Sequence, residues 1–301
     1  RADDRKQWLS KYELGKNVID FNNVNLSYTD FINKELIEFS MYDCKRSIPI
    51  IYDGLKPSQR KILFCAFKRR LYSEIKVAQF AGYVSEHSAY HHGEMSLQGA
   101  IIGMAQTFIG SNNINLLKPN GQFGTRILGG HDSASPRYIH TELNRIIDDI
   151  YNHSDFDVLT YLDDDGVSVE PEYYVPIIPM VLVNGMKGIG TGFSTSIPCY
   201  NPKDIIRNIQ NKLEDKSYNE MNPWYNGFTG KIEKINDKQY ITKGVYNIVG
   251  KSTLKITELP IGKWTQNYKE FLDSLLYDKT KKQKFYILDY EDHSTDVRVQ
   301  F

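Results

Sequence analysis

Three cysteines, Cys44, Cys65 and Cys199, are all that 301 residues supply, and they lie too far apart to form a CxxC pair. Neither a disulfide framework nor a cysteine-based zinc site is implied, and a reducing compartment is expected. No uninterrupted apolar run approaches the roughly 18 residues that a membrane-spanning helix needs. The N-terminal stretch RADDRKQWL also lacks a hydrophobic signal-peptide core. A soluble protein with no membrane partner is expected, and the abrupt charged start reads as a cut within a longer chain. Net charge is missing too: 37 Lys+Arg balance 37 Asp+Glu, so the sum points to neither nucleic acid nor membrane. Internal repeats, low-complexity tracts and both common phosphate-loop templates are absent.

What remains is ordinary globular composition, 41% hydrophobic and 25% charged, with a length that suggests two domains. Charge is segregated along the chain. From Lys45 to Arg70 eight basic residues meet the single acid Asp53, and from Glu142 to Glu172 ten acids meet only Arg145. Such blocks suggest one face that meets a polyanion and another turned away from it.

Helical spacing predicts a helix from Ser27 to Tyr42, with Phe31, Ile32, Leu36, Phe39 and Tyr42 in register. A second begins at Ser58, burying Ile62, Leu63, Ala66, Phe67 and Leu71 and presenting Arg60, Lys61, Lys68, Arg69 and Arg70. A third runs from Ser96 to Ile109. Short helices, tight turns and a basic helical face suit a winged-helix or helix-turn-helix module. After Asp155 the texture changes. IIPMVLVNG suits a buried strand, Asn201-Pro202 opens a helix, and FTGKIEKI, QYITKGVYNIV and TLKITEL alternate as in an antiparallel meander. The expected fold is α+β: a helical winged-helix domain over residues 1–154, then an α+β domain with antiparallel sheet over residues 155–301.

Four motifs invite chemistry. GMKGIGTG, Gly185 to Gly192, suits a loop in which glycine allows close backbone approach. It also carries Ile189, a large apolar residue of the kind that wedges between base steps in kinked DNA. YLDDDG contains a formal DxD at Asp163 and Asp165, but Asp-Gly between strands reads better as a hairpin turn than as a metal site. In AYHHGE, His91 and His92 are adjacent and point different ways, so one of them facing a site suffices. SASPRYIHTEL sets Arg137 against Tyr138. A phenol of ordinary pKa, about 10, is a poor nucleophile unless cations stabilise its anion. Arg137 provides one such cation, and Arg46 and His92 add more if the fold gathers them. Arginine's planar fork matches phosphate, so the combination points to phosphoryl transfer.

With these residues in view, the chain resembles the DNA breakage-reunion region of eukaryotic-type type IIA DNA topoisomerases. The likeness is carried by ADDRKQWL, DFINKELIEFS, RSIPIIYDGLKPSQRKIL, KVAQFAGYVSEHSAYHHGE, GSNNINLLKPNGQFGTR, SASPRYIHTEL, VEPEYYVPIIPMVLVNGMKGIGTGFSTSIP and NPWYNGFTGKIE, which cover nearly the whole chain. The resemblance implies that Tyr138 is the nucleophile, forming a 5′-phosphotyrosyl intermediate, with Arg137 stabilising charge on the phosphate. It implies that Arg46 and His92 bind and orient the scissile phosphate and that Ile189 intercalates. Lys56, Arg60, Lys61 and His91 would hold DNA, and residues 155–301 would form the tower domain. Double-stranded DNA and a homodimer are the implied partners. Mg²⁺ and ATP are implied for the full-length enzyme, bound by domains absent from this chain; Asp163 and Asp165 are not equivalent to the family's DxDxD cluster. Localisation would be nuclear for a cellular enzyme and host-cytoplasmic for a viral one. The competing reading is a noncatalytic winged-helix DNA-binding protein, for which a buried Tyr138 would speak.

Overall fold

The computed structural model describes residues 1–13, 15, 18, 19, 22, 25–276 and 287–301. Helix α1 (Ala2–Leu9) comes first. A long helix follows as α2 (Tyr28–Asp30), a π-helical stretch (Phe31–Leu36) and α3 (Ile37–Ser47). Then come α4 (Pro57–Arg69), β1 (Ile75–Lys76), α5 (Val77–His87), α6 (Glu94–Ala105), β2 (Leu117–Asn120) and β3 (His140–Leu143). The chain continues through α7 (Ile147–Ile150), a 3-10 turn (His153–Val158), β4 (Tyr161–Asp164), β5 (Val167–Pro171), α8 (Met180–Val183), β6 (Met186–Ile189) and β7 (Ser194–Ile197). It ends with α9 (Pro202–Leu213), β8 (Lys231–Asn236), β9 (Gln239–Lys243), β10 (Val245–Val249), β11 (Thr253–Glu258) and α10 (Thr265–Leu275).

Strands β1, β3 and β2 form an antiparallel sheet with β3 in the middle, pairing Ile75 with Thr141 and Lys118 with Glu142. Helices α4, α5 and α6 pack together beside it, which gives the first half a winged-helix arrangement. Their shared core comprises Ile62, Leu63, Ala66, Val77, Phe80, Val84, Leu97 and Ile101. The alternation of β3 explains its place, since Thr141 and Leu143 point inward while His140 and Glu142 do not.

The core does not stop at residue 155. Tyr174, Ile178, Met180, Val183 and Ile205 belong to the same buried cluster. Phe67 on α4 meets Tyr174 edge-on at 5.7 Å and Phe156 at 4.9 Å. Asp53, fully buried, binds the two halves further: its carboxylate accepts from Arg60, from Leu55 N and, at 3.0 Å, from Tyr174 N.

Several expectations change. Met180–Val183 is a short buried helix rather than a strand, because burial on all sides follows from hydrophobicity without fixing the period. The expected meander resolves into separate hairpins, β8–β9 and β10–β11. Gly244 divides them, where a Cβ would stand 2.2 Å from Glu258 O. The long helix begins at Ser27, whose side chain accepts from Asp30 N, but Phe31, Ile32, Leu36, Phe39 and Tyr42 are exposed while Ile37 and Ser40 face inward. Among the described residues, no helix is long and apolar enough to cross a membrane.

Candidate nucleic-acid interface and phosphate site

The C-terminal end of α3 and the β6–β7 hairpin are built into one another. A Cβ on Gly188 would stand 2.4 Å from Ser47 O, and one on Gly190 3.0 Å from Cys44 Cα. Only glycine permits that approach. Thr191 Oγ1 adds a hydrogen bond to Asp43 Oδ2 at 3.3 Å. Ile189 pairs with Ser194 at the end of this hairpin and projects outward, 80% exposed, with Gly190 N donating to Phe193 O to close the turn. Arg46 is exposed near the end of the same helix and has no ion-pair partner among the described residues.

His92 joins this cluster from the turn between α5 and α6. Its Nε2 lies 2.7 Å from the hydroxyl of Tyr42, one helical turn before Arg46 on α3. Tyr90 meets the imidazole edge-on with ring centroids 5.3 Å apart. Desolvation, then the positive charges of Arg46, His91 and Lys61, push the imidazole below its ordinary pKa and favour its neutral form. His91 turns elsewhere, with Nε2 3.1 Å from Asp164 on the β4–β5 hairpin.

Arg137 and Tyr138 occupy the turn leading into β3. Pro136 O and Ile139 O accept from Ala78 N and Val77 N at the start of α5, while Tyr138 N donates to Ser135 O. Buried Ile139 pins the turn, pressed so closely by Gly121 that a Cβ there would lie 2.8 Å from its Cγ2. Tyr138 itself is 69% exposed, with the Arg137 guanidinium 5.2 Å from its ring centroid. Neither side chain hydrogen-bonds or ion-pairs with Arg46 or His92. The turn is fastened to one end of α5 and His92 follows the other, and 11 residues of helix span about 16 Å.

Two of the expected DNA contacts are engaged inside the chain. Arg60 is 5% exposed and grips Asp53 with two hydrogen bonds of 2.7 and 3.0 Å. Lys61 reaches Glu170 at 2.8 Å and also Ser88 O. Both charges are consumed inside the protein because Asp53 lies seven residues before Arg60 and Glu170 folds over α4. The same pairing limits the charge segregation read along the sequence, since basic Lys61 and acidic Glu170 neutralise each other in space. Lys56 is half-buried before α4 and lines a cavity of ≈ 880 Å³ with Lys187, Tyr240 and Trp264.

The DxD sits in a hairpin turn. Asp163 Oδ1 accepts from Gly166 N at 3.0 Å, and Asp165 and Gly166 adopt the positive φ of a tight hairpin. Among the described residues there is no cluster of three or more His, Cys, Asp or Glu side chains that could hold a metal ion. Sequence reasoning missed Tyr42 as a neighbour of His92. The available signal was its position four residues before Arg46, which puts both on one helix face.

Comparison with known proteins places the chain in a family. Residues 46–301 match the family model for the A-type chain of DNA gyrase/topoisomerase IV, and residues 1–44 match the C-terminal associated domain of TOPRIM. The chain is 54% identical to a probable DNA topoisomerase 2 of Dictyostelium discoideum, over 94% of this chain and 19% of that protein. It is 50% identical to DNA topoisomerase 2 of Acanthamoeba polyphaga mimivirus, over 93% of this chain and 22% of that protein. A crystal structure of the Plasmodium falciparum topoisomerase II DNA-binding, cleavage and re-ligation domain superposes with a TM-score of 0.90 at 53% identity, covering 100% of this chain and 40% of that one. The chain thus spans about a fifth of the length of the curated relatives it matches. Family model, relatives and fold agree over both halves: the chain belongs to the DNA gyrase/topoisomerase IV family.

Proposed function

We propose that this chain is the DNA breakage-reunion region of an ATP-dependent type II DNA topoisomerase that works on double-stranded DNA as a homodimer. The observation that carries the reading is Arg137 beside Tyr138 on a turn, both exposed and neither engaged by a hydrogen bond or ion pair from its side chain among the described residues. A tyrosine serving the core would be covered, and a tyrosine serving as a hydrogen-bond donor would have its acceptor.

In this reading the Tyr138 hydroxyl oxygen attacks the phosphorus of a phosphodiester and loses its proton to solvent. The bond from phosphorus to the 3′ oxygen breaks, and that oxygen takes up a proton to become a free 3′-hydroxyl. The strand is left joined to the protein through a 5′-phosphotyrosyl bond. One P–O ester bond replaces another, so attack by the 3′-hydroxyl reverses the step without an external energy source. Arg137 pairs with the phosphate oxygens where charge develops.

Arg46 and His92 bind and orient the phosphate, Ile189 intercalates beside the cut, and Lys56 and His91 complete the backbone-facing set. Residues 1–154 carry the cleavage groups and the basic DNA contacts, and residues 155–301 form the tower and contribute Ile189. The α5 separation supports the homodimer, since phosphate-binding cluster and nucleophile lie apart within one chain; Tyr138 then works beside the partner's metal site. Mg²⁺ and ATP are held by parts of the longer protein other than these residues, and no step here is assigned to them. The nucleus is the expected location for a cellular enzyme and the host cytoplasm for a viral one.

Denaturing a reaction of the longer protein with duplex DNA and Mg²⁺ should trap DNA covalently on Tyr138. Trapping that persists in Tyr138→Phe overturns the assignment.

A further inference from the structure

His92 is held by two phenols. Tyr42 brings its hydroxyl to 2.7 Å from Nε2, with ring centroids 6.2 Å apart, while Tyr90 packs edge-on. Tyr42 is half-exposed on α3, and its hydroxyl has no other hydrogen-bond partner among the described residues. Of the two imidazole nitrogens, Nδ1 makes no protein hydrogen bond among these residues. The charged groups that act on the ring are Arg46 from α3, His91 from the same turn and Lys61 from α4. Asp164 and Glu170 face His91 and Lys61 rather than the His92 ring.

A neutral imidazole has one N–H and one lone pair, so the partner of one nitrogen decides what the other offers. If Nε2 carried the proton, Nδ1 would turn a lone pair toward any anion arriving beside Arg46. If Nδ1 carries it, the ring offers a donor. We propose that Tyr42 is a positioning residue for His92: its hydroxyl donates to Nε2, fixes the ring proton on Nδ1, and so aims a neutral N–H donor at a DNA phosphate. This rests on the reading of His92 as a phosphate contact. Tyr42 and Arg46, four residues apart on one helix face, then supply the alignment and the charge of a single anion clamp.

The first measurement needs no DNA. Imidazole ¹⁵N NMR of this chain should show His92 as the Nδ1–H tautomer. Tyr42→Phe should mix the tautomers and move the His92 titration to higher pH, because a donor to the lone pair favours the neutral ring. An Nε2–H pattern in the unsubstituted chain, or one unchanged by Tyr42→Phe, overturns the inference whatever DNA does.

The second measurement is a double-mutant cycle on DNA cleavage by the full-length protein. Tyr42→Phe should reduce cleavage about fivefold, the worth of one hydrogen bond of ~1 kcal/mol. It should have no further effect in a His92→Ala background; an undiminished effect there overturns the inference. The expected NMR result with full cleavage by His92→Ala would instead remove His92 from the phosphate site, and Tyr42's role in the reaction with it.

Discussion

Arg126 and Glu258 stand 132 positions apart and form a buried ion pair across the molecule. Arg126 also donates to Leu259 O at 2.9 Å, and Glu258 accepts from Thr229 N and Oγ1 at 3.2 and 3.1 Å. The neighbouring Thr125 N donates to Asp132 Oδ1 at 2.8 Å, so the loop that runs toward Tyr138 is fastened to the end of β11. Glu258→Ala leaves the guanidinium buried without its counter-charge, which should cost about 3–5 kcal/mol. Glu258→Gln keeps an acceptor and should cost less. Urea unfolding measures both, and an alanine variant with the unsubstituted midpoint would refute the latch.

Adjacent residues of the glycine loop should behave oppositely. Gly188→Ala places a methyl group against Ser47 O and Ile48 Cα, at 2.4 and 2.9 Å, and should destabilise by ~1–3 kcal/mol as α3 and the hairpin are forced apart. Ile189→Ala, at an exposed position, should leave stability within ~0.5 kcal/mol while reducing the bend imposed on bound DNA. Thermal melts and end-to-end energy transfer on a labelled duplex separate the two. A large stability loss in Ile189→Ala would mean that this side chain packs rather than wedges.

That loop also shows what was legible in the sequence. Its glycines announced a close approach, Asn201-Pro202 announced a helix start that Asn201 does cap, and Asp165-Gly166 announced a hairpin. Each is a local signal with a local cause. Partner choice was hidden. Helical spacing put Phe31, Leu36 and Phe39 near one another without saying that this side is left uncovered. Periodicity likewise put Arg60 on a basic helix without showing that Asp53 waits inside to receive it. The separation of Tyr138 from His92 depends on how α5 is clamped at its first turn, through main-chain bonds that no side-chain pattern encodes.

Tyr138→Phe should separate chemistry from folding. The hydroxyl has no hydrogen-bond partner among the described residues and the ring is largely exposed, so stability should change by less than ~0.5 kcal/mol. Loss of covalent trapping by a protein with an unchanged unfolding curve and unchanged DNA affinity is the expected outcome. A variant that also loses its DNA affinity would assign Tyr138 to binding.

Alkaline pH should weaken the fold through buried thiols first. Burial pushes Cys65 and Cys199 from an ordinary 9.0 up to about 12, and Tyr225 from 10.0 to about 12. These groups are neutral acids whose folded pKa is raised. Below about 9 both states keep the thiol proton and the stability is fully present; above it the unfolded chain ionises while the folded chain cannot, and stability falls as pH rises toward about 12. Each thiol contributes a slope of up to about 1.4 kcal/mol per pH unit in that window. Urea midpoints measured in reducing buffer from neutrality upward should therefore decline once pH passes the ordinary thiol range. Replacing both cysteines with alanine should lower the starting stability through lost packing and flatten the early decline, because the buried tyrosines of the unfolded chain ionise later. An undiminished slope between the thiol and phenol ranges in that double variant would show that the decline has another source.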